Sequence, residues 1–84
     1  MSAVAEDVIA IIAAKSKRGR PVEGSDWLDE LGIESLEAVE MIFELEDRFR
    51  IEIPANANNA DQVFKTVSDV VRLVEELVAA KETT

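Results

Sequence analysis

Leu31-Gly32-Ile33-Glu34-Ser35-Leu36-Glu37-Ala38-Val39-Glu40 runs from a glycine-marked turn directly into an acidic amphipathic helix, with a single serine at the junction. Apolar residues continue at three- and four-residue spacing through Ile42, Leu45 and Phe49, which predicts a helix from about Leu36 to Arg48. Ser35 falls at its N-cap, where a hydroxyl oxygen can accept an otherwise orphan backbone N–H. Val39, Ile42, Leu45 and Phe49, with Met41 alongside, supply a buried stripe. Leu36, Val39 and Phe43 form a second line, in which Leu36 and Phe43 are expected to be only partly buried.

Upstream, Val4, Val8, Ile11 and Ile12 repeat at helical spacing, with acids early and Lys15, Lys17 and Arg18 late, the order that suits the helix dipole. Gly19, Pro21 and Gly24 then impose a long connection. Within it, Ser25 or Asp26 caps a short turn carrying Trp27, Leu28 and Leu31 inward, and Gly32 closes it at a position open to positive φ. Trp27 is read as a core or loop-anchoring plug. Downstream, Ile51 and Ile53 pack inward before Pro54 stops the chain's regular course. The segment 55–61 is a polar hinge into a short third helix holding Val63 and Phe64. It lacks the oxygen-ligand ladder and terminal glutamate of a calcium loop, so no metal is expected there. Thr66, helped by Asp69, caps a last helix whose inner face is Val67, Val70, Val71, Val74, Leu77 and Val78. Residues 79–84 read as a fraying tail.

The formal charge of -9 is concentrated. Residues 1–22 carry four basic and two acidic groups, and residues 48–84 five and six. Residues 23–47 carry ten acids and no lysine or arginine. Such a field disfavours nucleic acid and anionic membrane and steers basic protein surfaces toward Ser35. Glu37, Glu40 and Asp47 have no basic neighbour at helical spacing, whereas Glu44 with Arg48 and Glu46 with Arg50 can pair. Acids flanking an apolar strip resemble the rim and centre of a protein-binding site. An 84-residue chain makes one domain with a thin core and no deep cleft. With no histidine and no cysteine, Ser35 cannot belong to a Ser-His-Asp or Cys-His arrangement, and disulfides and thiolate metal sites are excluded. A soluble, cytoplasmic monomer without stable membrane insertion is the expectation.

This organisation resembles the acyl carrier proteins over nearly the whole chain, most densely from Trp27 to Pro54. Leu31-Gly32-Ile33-Glu34-Ser35-Leu36 looks like the family's leucine-glycine, aspartate-serine-leucine signature, and Glu52-Ile53-Pro54 resembles its exit from the recognition helix. The resemblance implies a single all-α domain: a small four-helix bundle with a long connection between the first two helices and a short third helix. It implies that Ser35 is esterified to 4'-phosphopantetheine donated by coenzyme A, whose thiol holds an acyl group as a thioester. The chain would then be a carrier with no catalytic residue. By position, Leu36, Val39 and Phe43 resemble the family's apolar docking residues, and Glu34, Glu37, Glu40, Glu46 and Asp47 its acidic ones.

The implied partners are phosphopantetheinyl transferases, acyltransferases and ketosynthases or related condensing enzymes of fatty-acid, lipid or secondary-metabolite synthesis. An acyl chain would shelter near Met41, Ile42, Val63 and Phe64. Glu34 departs from the family's usual aspartate, placing its carboxylate one methylene farther out, and Phe43 is bulkier than the usual aliphatic. The Glu34 departure is consistent with a dedicated transferase, a slow reaction or an unmodified relative, and the departures together point toward a specialised carrier with its own partner set. A peptidyl or aminoacyl carrier, or a noncovalent module in which the acidic helix simply binds a basic partner, are the alternatives.

Overall fold

The computed structural model describes residues 3–17, 21–33, 36–53 and 65–82. They form an all-α arrangement of three helices: α1 (Ala3–Lys15), α2 (Leu36–Phe49) and α3 (Val67–Glu82). α1 packs on both α2 and α3. Each helix contributes a short inner stripe at helical spacing: Ala5, Val8 and Ile12; Ala38, Met41, Ile42 and Leu45; Val67, Val70 and Val74.

The four-helix expectation is corrected to three helices among the described residues. Non-helical segments complete the core. Leu28, Leu31 and Ile33 from the first connection and Ile51 and Ile53 from the exit of α2 are all buried in the same cluster as the helix stripes. Turn and loop residues therefore supply core that helices alone do not. The expected short third helix, with Val63 and Phe64, lies outside the described residues.

Three terminal devices set the helix bounds. At the start of α3, Thr66 N donates to Asp69 Oδ2 at 3.0 Å and Asp69 N to Thr66 Oγ1 at 3.3 Å, a reciprocal capping box. Lys65 N adds a bond to the same carboxylate oxygen at 3.1 Å, and these backbone donors hold Asp69 below the usual aspartate pKa despite some desolvation. At the end of α2, Arg50 adopts φ 53° and Ile51 N donates to Glu46 O at 3.2 Å, the left-handed closure usually given to glycine. In the first connection Gly32 takes φ 82°, as the turn reading expects.

Trp27 is a correction. Leu28 and Leu31 are buried, but Trp27 is 48% exposed. The physical reason is an antiparallel pairing of Trp27 with Thr66, flanked by Leu28 N to Lys65 O at 2.8 Å and Val67 N to Asp26 O at 3.0 Å. Extended backbone alternates its side chains between faces. Asp26 and Leu28 therefore point in, and Trp27 points out.

Candidate functional site

The turn that precedes Ser35 is held by Lys17, just beyond the end of α1. Lys17 N donates to Leu31 O at 2.9 Å, and a Cβ placed on Gly32 would lie 2.8 Å from Lys17 Cδ, so the lysine stem lies flat across the glycine. Glycine is required there both by φ and by that approach. Ile33, buried, ends the turn, and Leu36 opens α2. Glu34 and Ser35 lie outside the described residues. Their neighbours on both sides are described. Leu36 opens a 14-residue helix, and the free backbone N–H groups and dipole at such an amino end favour an anion such as a phosphate.

Along α2 the expected docking residues separate by environment. Leu36 is 65% and Phe43 63% exposed, the exposed apolar strip that the spacing expects, while Val39 is half-buried. Exposed apolar side chains of this size on one helix are what a partner could cover. Glu40 and Asp47 are exposed and Glu37 is half-buried. Met41, Ile42 and Leu45 are buried as the spacing expects, Ala38 joins them, and Val39 and Phe49 are half-buried.

The ion pairs of α2 run between helices, and not along it as helical spacing suggested. Glu44 bonds Lys15 of α1 at 2.8 Å, and Arg48 bonds Asp7 at 3.0 Å, so Glu44 and Arg48 each turn to α1 instead of each other. Lys17 Nζ stands 4.0 Å from Glu37 Oε1. Glu46 is committed to the fold: its Oε2 accepts from Ile53 N at 2.9 Å and fastens the exit strand to the helix. Sequence reasoning missed Lys15 and Lys17 as parts of this site. The only signal was their place at the basic end of α1, and the long connection hides which helix that end meets.

Of the residues expected to shelter an acyl chain, Met41 is fully buried and Ile42 nearly so. Among the described residues, one open pocket is bounded by Ile9, Val22 and Val71 between α1 and α3, and another by Glu46, Ile53 and Leu77. Val63 and Phe64 fall outside the described residues. Among the described residues no cluster of acids could hold a metal ion, and no helix is long and apolar enough to cross a membrane.

A model of the family described as phosphopantetheine attachment site matches residues 6–74. The chain is also 40% identical over 57 residues to an acyl carrier protein of Sinorhizobium fredii, an alignment covering 68% of this chain and 69% of that protein. The same identity and coverage hold for the acyl carrier protein AcpP of Rhizobium meliloti. The cofactor that goes with the matched domain is covalently attached 4'-phosphopantetheine. The chain belongs to the acyl carrier protein family, and so functions as a phosphopantetheine-dependent carrier for biosynthetic enzymes and is not itself an enzyme.

Proposed function

We propose that Ser35 carries the phosphopantetheine arm and that α2 is the face presented to partner enzymes. The observation that carries this reading is the place of Ser35 directly before the first residue of α2. The other serines in the matched span suit a phosphodiester less well. Ser68 spends its hydroxyl on Gly24 O at 2.8 Å, Ser16 follows the carboxyl end of α1, where the dipole opposes an anion, and Ser25 sits in a turn with no helix directly behind it.

In this reading Leu36, Val39 and Phe43 form the apolar centre of the docking face and Glu37, Glu40 and Asp47 its acidic rim. Glu34 lies beside the attachment point and selects the transferase. Glu46 acts mainly through the bond that shapes the exit of α2. The partners are a phosphopantetheinyl transferase, acyltransferases and ketosynthases or related condensing enzymes with basic docking patches, in fatty-acid, lipid or related synthesis. A cytoplasmic location goes with this reading. The acyl group, held as a thioester on the arm's thiol, reaches each docked enzyme at high effective concentration because the tether makes the encounter intramolecular.

The test is incubation of the full chain and Ser35→Ala with coenzyme A and a phosphopantetheinyl transferase, followed by intact-mass measurement and peptide mapping. A single added arm mapped to Ser35 is the expected result. An arm on another serine sinks the assignment.

A further inference from the structure

We infer that Trp27 is a preformed docking anchor that receives a lysine or arginine side chain from the basic surface of a partner enzyme. The inference rests on the carrier reading above. Trp27 is the one tryptophan of the chain, and it is turned outward by a fixed backbone. Both neighbours are buried and bonded. Asp26 Oδ2 accepts from Glu23 N at 2.8 Å while its carbonyl holds Val67 N, and Leu28 N is held by Lys65 O. Outward placement is thus a consequence of pairing with the start of α3, and little backbone freedom remains to be lost when a partner arrives.

Charge selects the occupant. Glu23, Asp29 and Glu30 are exposed near Trp27 in sequence, Lys65 is an exposed base beside the pairing, and residues 23–47 contain no lysine or arginine. An exposed indole in so acidic a stretch of chain attracts a cation by its quadrupole and by the net charge of that stretch, whereas an acidic or anionic surface is repelled. Tryptophan is also the residue type most enriched among interface anchors. A lone exposed aliphatic would need no explanation. A tryptophan clamped outward in the acidic stretch leading to the attachment turn has one in a basic partner.

The experiment measures KM and kcat for the full chain as substrate of a phosphopantetheinyl transferase that modifies it from coenzyme A. Trp27→Ala should raise KM roughly tenfold with kcat nearly unchanged, Trp27→Phe should fall between, and the double reversal Asp29→Lys with Glu30→Lys should also raise KM. Should Trp27→Ala lower the melting temperature, the unsubstituted chain labelled with 5-fluorotryptophan supplies the reading. Its single fluorine resonance should shift or broaden when the transferase is added. An unchanged KM in a folded Trp27→Ala chain, or an unmoved fluorine resonance, overturns the inference while leaving the carrier reading intact. Failure of any transferase to modify the unsubstituted chain overturns both.

Discussion

Lys15 Nζ lies 2.8 Å from Glu44 Oε1, so the basic end of α1 is bonded to the half-exposed flank of the acidic helix. The hydrogen bond to Glu44, reinforced by the charges of Glu44 and Glu40 and opposed by desolvation, raises the lysine above its ordinary pKa. A raised folded-state value means the pair's contribution is complete below the unfolded lysine pKa of about 10.4 and lost only as pH climbs through the folded value. At neutral pH Lys15 holds its charge. It therefore partly neutralises the field a basic partner meets.

Lys15→Ala should strengthen docking. Releasing Glu44 and unscreening Glu40 should lower KM with a basic-patched transferase by roughly twofold at low salt, an effect that fades as ionic strength rises. Steady-state kinetics at two salt concentrations check it. Lys17→Ala should act in the same direction through Glu37, more weakly because the separation there is 4.0 Å.

The capping box at α3 predicts an acid-sensitive component of stability. Because Asp69 has a depressed folded-state pKa, its contribution is present above the unfolded value of about 3.9 and is lost as pH falls through the lower folded value. Asp69→Ala should cost about 1 kcal/mol in urea unfolding at neutral pH. The gap between variant and parent should close below the ordinary aspartate range.

Two left-handed residues predict opposite responses. Arg50→Gly should stabilise the chain by about 0.5–1 kcal/mol, since glycine removes the Cβ penalty of the closure after α2. Gly32→Ala should destabilise it by about 1–2 kcal/mol, combining positive φ with the approach of the Lys17 stem. Denaturant melts of the two variants test the pair together.

The acids of α2 should divide by role. Glu46→Ala should cost about 1 kcal/mol through the lost bond to Ile53 N, and Glu46→Gln should retain most of it because an amide oxygen still accepts. Glu40→Lys should leave the melt nearly unchanged and raise KM several-fold. Comparing stability with kinetics in the same variants separates the two roles.

Periodicity was enough to read α1, α2 and α3 and the valines of the inner face, because those spacings are local. The Thr66 cap and the positive φ of Gly32 were also legible, each being written within four residues. The outward turn of Trp27 was not. It depends on pairing with Thr66, 39 positions away, and a large aromatic in a loop reads as a plug until that pairing is known. The tethering of Glu46 to Ile53 and the reach of Lys15 to Glu44 were hidden for the same reason, as helical spacing offers Arg50 and Arg48 first. The four-helix expectation is corrected to three helices among the described residues, where Leu31, Ile33, Ile51 and Ile53 add to the core without belonging to any helix.

The central claim is that the arm is borne by the serine directly before α2. Intact mass of the full chain isolated from its native cell, set beside Ser35→Ala expressed in the same cell, tests it most directly. The account predicts a gain of one phosphopantetheine, with or without acyl cargo, on the parent and none on the variant. An unmodified parent, or a variant that still gains the arm, would contradict it.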